Sequence, residues 1–307
     1  AYFTYIKLLK GFKSESEKIS SQIESLVGLE VLRLDLEHLG YGISNDETNL
    51  ILSWDSTNKE LILRSTLNNT NSSTRGYILT KCNAGTLDVN YDGREDKTNP
   101  YVSVLDTENW NFFDTGQVVN NTISLNSQTC SNTKVYVAFP IRDVVYNGTS
   151  NGCLVSYCEQ ITYTLSNANL ISRCNPGTYN LVRRIGTANT GGEPILNCVS
   201  DWKITVDIDL DGNGVIDSTE TDLTFNNLDV DLNGTIENSE IRNNLKAVNV
   251  YILIQDGKYD PEYTYTQVSN CGADKCVSIN GELLKLPANY IHYRWKPLKI
   301  KIKPMDL

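Results

Sequence analysis

The stretch that decides the fold class lies near the start of the chain: EKISSQIESLVGLEVLRLDLEHLGYGI, residues 17–43. Its apolar residues recur at helical spacing, with charged residues at the positions between them. Gly40 and Gly42 end the pattern. Because residues 1–43 contain no proline, we predict one long helix over all of 1–43. Residues 2–12 are apolar around nearly the whole helix, which predicts that they belong to a longer hydrophobic helix.

The rest of the chain, residues 44–307, has a different periodicity. Short segments rich in β-branched and aromatic residues alternate with loops rich in Asn, Gly, Ser and Thr. The segments predicted as strands are 49–55, 60–66, 76–82, 134–140, 160–166, 180–186, 201–209, 247–255 and 295–303. The predicted fold class is α+β, with a long N-terminal helix packed on a mainly antiparallel β-sheet head.

The negative charge of the protein is concentrated in one segment. The chain carries a net charge of −10, and ten of its 37 acidic residues lie between Ile204 and Ile241, where there is no Lys or Arg. Without those ten residues the 307-residue chain would be neutral. Carboxylates that close repel one another unless a cation lies among them. Residues 207–241 are therefore predicted to bind a cation.

Two twelve-residue stretches inside this segment are near-copies: DLDGNGVIDSTE (209–220) and DVDLNGTIENSE (229–240). An EF-hand calcium loop needs oxygen ligands at positions 1, 3, 5, 7, 9 and 12, with Gly at position 6 and a backbone carbonyl at position 7. A set of polar turns would explain Asn-Gly, but not the repeated Ile at 8, acid at 9 and Glu at 12. Both stretches fit every position, which predicts two Ca²⁺ sites with these ligands: Asp209, Asp211, Asn213, Val215, Asp217 and Glu220 in the first loop; Asp229, Asp231, Asn233, Thr235, Glu237 and Glu240 in the second.

The flanking sequence makes these loops EF-hand-like rather than EF-hands. A predicted strand precedes the first loop, and eight residues separate the two, which is too short for two full helices. We interpret them as strand-loop-helix variants with a structural role. Oxygen ligands without His or thiolate favour calcium over zinc.

The chain has eight cysteines, an even number that predicts up to four disulfides and an oxidising compartment. We favour the pairs Cys153–Cys158, Cys271–Cys276, Cys174–Cys198 and Cys82–Cys130. A four-cysteine zinc site built from the two CxxxxC pairs is the alternative, although structural zinc sites commonly use tighter spacing.

Motifs for catalysis and for nucleotide binding are absent from the sequence. There is no P-loop, no GxGxxG after a strand, no GxSxG and no HExxH, and the two histidines do not suggest a catalytic arrangement. The acidic balance argues against nucleic acid as a partner. We therefore predict that the protein is not an enzyme and has no small-molecule substrate.

Several segments, in their order along the chain, resemble the PilW-type minor pilins of type IV pili, which are related to the J-type pseudopilins of type II secretion. The segments are LRLDLEHLGYGIS (32–44), CEQITYTLSN (158–167), NLVRRIG (180–186), ILNCVSDWKITVDIDLDGNG (195–214), LKAVNVYILIQ (245–255) and YIHYRWKPLKIKIKPMDL (290–307). Residues 48–130 match nothing in that family.

The resemblance implies a structural subunit anchored in the bacterial inner membrane and facing the periplasm, then carried to the tip of an extracellular pilus. Its implied partners are other minor pilins and a tip adhesin. Three alternatives stay open: a J-type pseudopilin of a secretion pseudopilus, an independent calcium-dependent adhesin or binding domain, and a hydrolase with an unrecognised site.

Overall fold

The structure is a computed structural model that describes residues 25–67, 76–89, 101–141, 158–186, 191–305 and 307. Within these ranges the chain forms a helix, α1, over 25–37 and a second helix, α2, at Asn238–Asn244. The strands, in chain order, are β1 (Leu52–Asp55), β2 (Glu60–Ser65), β3 (Ile78–Asn83), β4 (Thr86–Asp88), β5 (Tyr101–Asp106), β6 (Phe112–Val119), β7 (Thr122–Leu125), β8 (Val135–Pro140), β9 (Glu159–Ser166), β10 (Tyr179–Ile185), β11 (Glu193–Ile208), β12 (Leu245–Asp256), β13 (Ser269–Cys271), β14 (Asp274–Ile279), β15 (Glu282–Lys285) and β16 (Arg294–Ile302).

Seven strands form one antiparallel sheet in the order β1-β2-β9-β10-β11-β12-β16. Helix α1 packs on this sheet through Leu32 and Leu36, both fully buried in the core that Trp202 shares. Gly28 permits the close approach, because a Cβ built there would lie 1.9 Å from the carbonyl oxygen of Ile195. Apolar burial and a glycine contact thus set the helix on the sheet.

A buried charged pair also joins α1 to the sheet. Asp35, on the helix, is 4% exposed and accepts hydrogen bonds from Arg183 Nε at 2.6 Å and from the Tyr163 hydroxyl. Burial and the adjacent Asp35 carboxylate raise the pKa of Tyr163 well above its usual value. A carboxylate removed from water needs such partners, so Asp35 fixes the position of the helix.

Between β2 and β9 the chain forms a separate unit, a closed barrel of six strands in the order β3-β4-β7-β6-β5-β8. It has its own core, which includes Val102, Val104 and Tyr136, and a disulfide between Cys82 and Cys130. Closure removes the exposed strand edges that a small open sheet would present.

A third, smaller sheet of β13, β14 and β15 packs near β11 and β12 around a core that includes Tyr251 and Trp295. Disulfides join Cys271 to Cys276 and Cys174 to Cys198. With Cys82–Cys130, these are three of the four pairs that the sequence favoured. Cys158 is also disulfide-bonded, and its predicted partner Cys153 lies outside the described residues.

The predicted fold class is wrong. Residues 1–24 of the predicted long helix lie outside the described residues, and the described helices, α1 and α2, are short in a structure that is mostly strand. The head is not a single sheet but a large sheet, a closed barrel and a small sheet. Apolar periodicity assigns single segments, whereas barrel closure depends on which strands pair, and periodicity carries no information about pairing. None of the described helices is long and apolar enough to cross a membrane.

Candidate metal centre

The first acidic loop leaves the end of β11 and is mostly exposed, but its first and last acids are buried. Asp209 is 4% exposed and Glu220 is 3% exposed. The carboxylate of Glu220 accepts hydrogen bonds from the backbone N–H groups of Leu210 at 2.8 Å and Asp217 at 3.1 Å. Asp209 Oδ2 accepts from Gly214 N at 2.9 Å. These bonds curl the loop around its two buried acids.

The second loop repeats this pattern at the same positions. Glu240 accepts hydrogen bonds from Val230 N at 2.8 Å and Glu237 N at 3.0 Å, and Asp229 Oδ2 accepts from Gly234 N at 3.0 Å. The N–H groups at positions 2 and 9 thus bind the acid at 12, and that at position 6 binds the acid at 1, in both loops. The sequence repeat is therefore also a repeat of backbone structure.

The two loops share a left-handed backbone at positions 4 and 6. Gly212 and Gly214 have φ of 71° and 80° in the first loop, and Leu232 and Gly234 have φ of 59° and 92° in the second. Glycine adopts this conformation without steric cost, which explains the requirement for it at position 6. Leu232 adopts it as a side-chain-bearing residue and is 85% exposed.

Each loop brings together the acids at positions 1, 3 and 12. In the first loop these are Asp209, Asp211 and Glu220, and one carboxylate oxygen from each lies within 4.8 Å of the others. Two oxygens that bind one Ca²⁺ at about 2.4 Å each can be no more than about 4.8 Å apart. The spacing is therefore compatible with a single calcium ion.

The equivalent acids of the second loop, Asp229, Asp231 and Glu240, meet the same distance limit. The acid at position 9, Glu237, accepts hydrogen bonds from Asn233 and Thr235 and also contacts the carboxyl of Glu240. Burial and the adjoining Glu237 carboxyl raise the pKa of Glu240. The contact with Glu240 and the bonds from Asn233 and Thr235 lower the pKa of Glu237. Two carboxyls so close resist ionising together, a cost that a divalent cation relieves.

One buried atom tests directly whether the first loop fits a cation. Asp209 Oδ1 is buried and has no hydrogen-bond partner among the residues that the structure describes, whereas Oδ2 of the same carboxylate accepts a hydrogen bond from Gly214 N and lies 3.6 Å from Lys246 Nζ. A buried carboxylate oxygen without a partner is costly. Because Asp209 also belongs to the three-acid cluster, a cation among those acids would satisfy it.

The other predicted ligand side chains form hydrogen bonds within their own loops. Asn213 Oδ1 accepts Val215 N at 2.7 Å, and Asp217 Oδ1 accepts Thr219 N at 2.6 Å. The Thr219 hydroxyl and backbone together lower the pKa of Asp217. Thr235 Oγ1 donates to Asn233 Oδ1 at 2.6 Å. These side chains brace the loop backbone in the described arrangement.

Helix α2 follows the second loop along the chain and also contacts the first loop, a contact that the sequence did not predict. Glu237 and Glu240 form a capping box at its N-terminus, so two ligand positions of the second loop also start the helix. At its other end, Asn244 O accepts the N–H of Asp209 at 2.9 Å. Lys246, just beyond α2, approaches Asp209, and no spacing rule in the sequence links these distant positions.

Comparisons with known proteins gave one similar solved structure and no matching family or curated protein. Among solved structures the chain is similar to a type IV-like pilin from Thermus thermophilus, with a TM-score of 0.36 and 11% sequence identity over 93% of this chain and 97% of that chain.

Proposed function

We propose that the two loops are structural calcium sites that, together with the disulfides, stabilise a protein working outside the cytoplasm. The observation that carries this proposal is the buried, unpartnered Oδ1 of Asp209 inside a cluster of three acids. A cation bound by this oxygen would offset the cost of burying it without a partner, and a donor set made only of oxygens is the one that Ca²⁺ prefers.

The proposed ligands of the first site are the carboxylates of Asp209, Asp211 and Glu220, completed by the oxygens at positions 5, 7 and 9. Glu240 and its loop neighbours would hold the second ion in the same way. A bound ion supplies positive charge to neutralise the clustered acids. The chain's own residues fix the loop backbone, because the N–H groups already bonded to Asp209 and Glu220 hold those carboxylates in place.

Calorimetric titration of metal-stripped protein tests this proposal. We expect two saturable sites for Ca²⁺ in wild type, one in Asp209→Asn and one in Glu240→Gln. Magnesium should compete weakly, since it demands smaller octahedral geometry. Absence of saturable heat and of any calcium-dependent change in thermal stability would contradict it.

We propose further that the chain is a structural, non-catalytic subunit of a type IV pilus, of the PilW-type minor pilin class. The support for this proposal is the position in the fold of the segments that resemble the family. The segments that resemble this family, scattered between residues 32 and 307, coincide with the end of α1 and with β9, β10, β11, β12 and β16. Those five strands are neighbours in the seven-stranded sheet, and α1 packs on it. Five of the six barrel strands, β3 to β7, lie within residues 48–130, which resemble nothing in the family, and β8 follows them.

In this role the protein would reside in the inner membrane and periplasm before assembly and at the pilus tip afterwards, with other minor pilins and a tip adhesin as partners. A J-type pseudopilin would share the same sheet segments but would be found in a secretion pseudopilus. An independent calcium-dependent adhesin would act without a filament.

Localisation of the protein in its own organism distinguishes these roles. We expect an epitope tag inserted at the exposed turn 56–59, between β1 and β2, to be detected by immunogold at one end of sheared pili. A strain with the gene deleted should produce fewer pili, and the tagged gene should restore them. Equal piliation in the deletion strain, with the tag absent from the sheared fraction, would contradict the pilus assignment.

A further inference from the structure

An aromatic groove of about 610 Å³ lies between the barrel and the end of α1. Its floor is Phe139 on β8, which is 5% exposed. Three other rings surround Phe139: Tyr41 meets it edge-on with centroids 4.9 Å apart, and Tyr77 and Trp110 lie at 6.4 and 6.5 Å. The volume is within the range of small-molecule sites.

The groove leaves large apolar side chains in contact with solvent. Tyr77 is 42% exposed and Trp110 is 38% exposed, with Leu79 and Met305 beside them at 51% and 64%. Exposed apolar patches with polar rims mark binding sites more often than chance. Here the rim carries the side chains of Asn45 and other polar residues.

Trp110 is held in this half-exposed position at a cost in backbone strain. Its φ is 56°, a left-handed value that is unusual for a bulky residue. Its N–H donates to Asp106 O at 2.9 Å, and its carbonyl accepts Asn45 N at 2.8 Å. Asn45 also donates to Asn109 O at 2.9 Å. Residues held in strained backbone conformations by their surroundings are concentrated at ligand-binding and other functional sites.

One charged side chain, Arg242, lies among the described residues that line the groove. Its guanidinium carbon lies 5.8 Å from the centre of the Trp110 ring. Arg242 is fixed by bonds to Asn45 Oδ1 at 2.9 Å and Ile43 O at 2.7 Å. The groove therefore presents a positive centre in a chain whose net charge is −10.

We propose that this groove binds an acidic saccharide, through a hexuronic acid unit. The C–H face of the pyranose ring would stack on Trp110 and Tyr77, as amphipathic aromatic rings allow. Its carboxylate would approach Arg242, with which it is complementary in charge. Its hydroxyl groups would bond to the exposed amide of Asn243 and to the second N–H of the Asn45 amide, whose first N–H donates to Asn109 O. A proline-rich peptide would also stack on aromatic rings, but it offers no anion to Arg242 and fewer hydroxyl partners for the amides.

Titration of the calcium-loaded protein with hexagalacturonate and with its methyl ester tests the proposal, with Trp fluorescence and calorimetry as readouts. We expect hexagalacturonate to bind and its neutral ester to bind about tenfold more weakly. Trp110→Ala should weaken binding of hexagalacturonate about tenfold. Arg242→Gln should remove the preference for the acid over the ester.

Tyr259→Ala is the matched control, because Tyr259 is a 51% exposed aromatic outside the groove and its loss should leave binding unchanged. The circular dichroism of each variant establishes that it folds. Failure of folded, calcium-loaded wild type to bind hexagalacturonate or an oligoglucuronate would overturn the proposal. So would equal binding of acid and ester, undiminished binding by Trp110→Ala, or binding of a proline-rich peptide alone. Calcium binding is measured separately, so loss of that site and failure of the groove are distinguishable.

Discussion

Replacement of Asp209 by Asn should change stability in opposite directions depending on calcium. In the absence of metal, wild type keeps a buried carboxylate oxygen without a partner. Asn removes that charge and keeps an oxygen for Gly214 N, so we expect Asp209→Asn to be as stable as wild type or more stable in EDTA. With calcium, wild type gains the binding energy of both sites, whereas the variant gains that of the second site alone.

The size of the calcium effect follows from mass action. At a free calcium concentration 100-fold above the dissociation constant, one site stabilises the folded state by about 2.7 kcal/mol. Unfolding entropy of about 2.1 cal/mol/K per residue gives about 0.6 kcal/mol/K for the 307 residues. Each site should therefore raise the melting temperature by about 4 °C, and the two together by about 8 °C.

Differential scanning calorimetry of wild type and variants, each with EDTA and with calcium, measures these shifts. We expect Asp209→Asn to retain about half of the calcium-induced shift, because the second loop is intact. Asp274→Asn is the control: it removes the same charge from a half-exposed side chain outside the loops and should keep the full shift. If Asp209→Asn lowered stability equally with and without calcium, Asp209 would be a structural residue and the ligand assignment would fail.

Three further predictions concern the fold. Gly28→Ala should destabilise the protein by about 1–3 kcal/mol in urea unfolding, because the new Cβ would force α1 away from Ile195; an unchanged midpoint would mean that α1 is not held at this contact. Asp35→Ala should lower the free energy of unfolding by about 3–5 kcal/mol, because it leaves Arg183 buried without its partner, and Arg183→Ala should lower it by a similar amount. If the double variant lost the sum of the two amounts, the pairing would be contradicted. Burial would raise the pKa of Asp106, but hydrogen bonds from Lys134 and Glu108 N outweigh it and lower that pKa. The stabilisation by ionised Asp106 is therefore present above the unfolded-state pKa of about 4 and is lost as pH falls through the lower folded-state pKa. Asp106→Asn should be less stable than wild type by about 1 kcal/mol at pH 7, and thermal melts should show a smaller difference at pH 3.

The sequence predicted single elements well because their cause is local. All nine segments predicted as strands coincide with strands of the structure, from β1 to β16. In the acidic loops, the requirement for Gly at position 6 appears as left-handed backbone at Gly214 and Gly234. In both cases the information lies within a few neighbouring residues, either as the alternation of apolar side chains or as the backbone freedom of glycine.

The sequence analysis did not predict the strands β4 to β7 and β13 to β15, and it did not predict features that depend on contacts between distant residues. The barrel closes by pairing β3 with β8 and β4 with β7, which no local pattern specifies. The aromatic groove unites Tyr41, Tyr77, Trp110 and Phe139 from four separate segments. A Trp in a polar turn, as in ENWN (108–111), was the one local sign of it, because a large aromatic residue in such a turn is seldom required for packing. The long helix was predicted from local periodicity alone, and that signal did not determine the architecture.

Helix α2 gives the acidic loops and the aromatic groove a common support. Asn238, within one turn of the second loop's last acid, accepts Ile51 N at 2.8 Å, and Arg242, one turn later, binds Asn45 Oδ1. Asn45 in turn donates its backbone N–H to the carbonyl of Trp110. If calcium orders α2 through Glu240, it also fixes Arg242 and, through Asn45, the position of Trp110. Loss of the second site should then weaken saccharide binding more than loss of the first, since Asp209 touches α2 only at its far end.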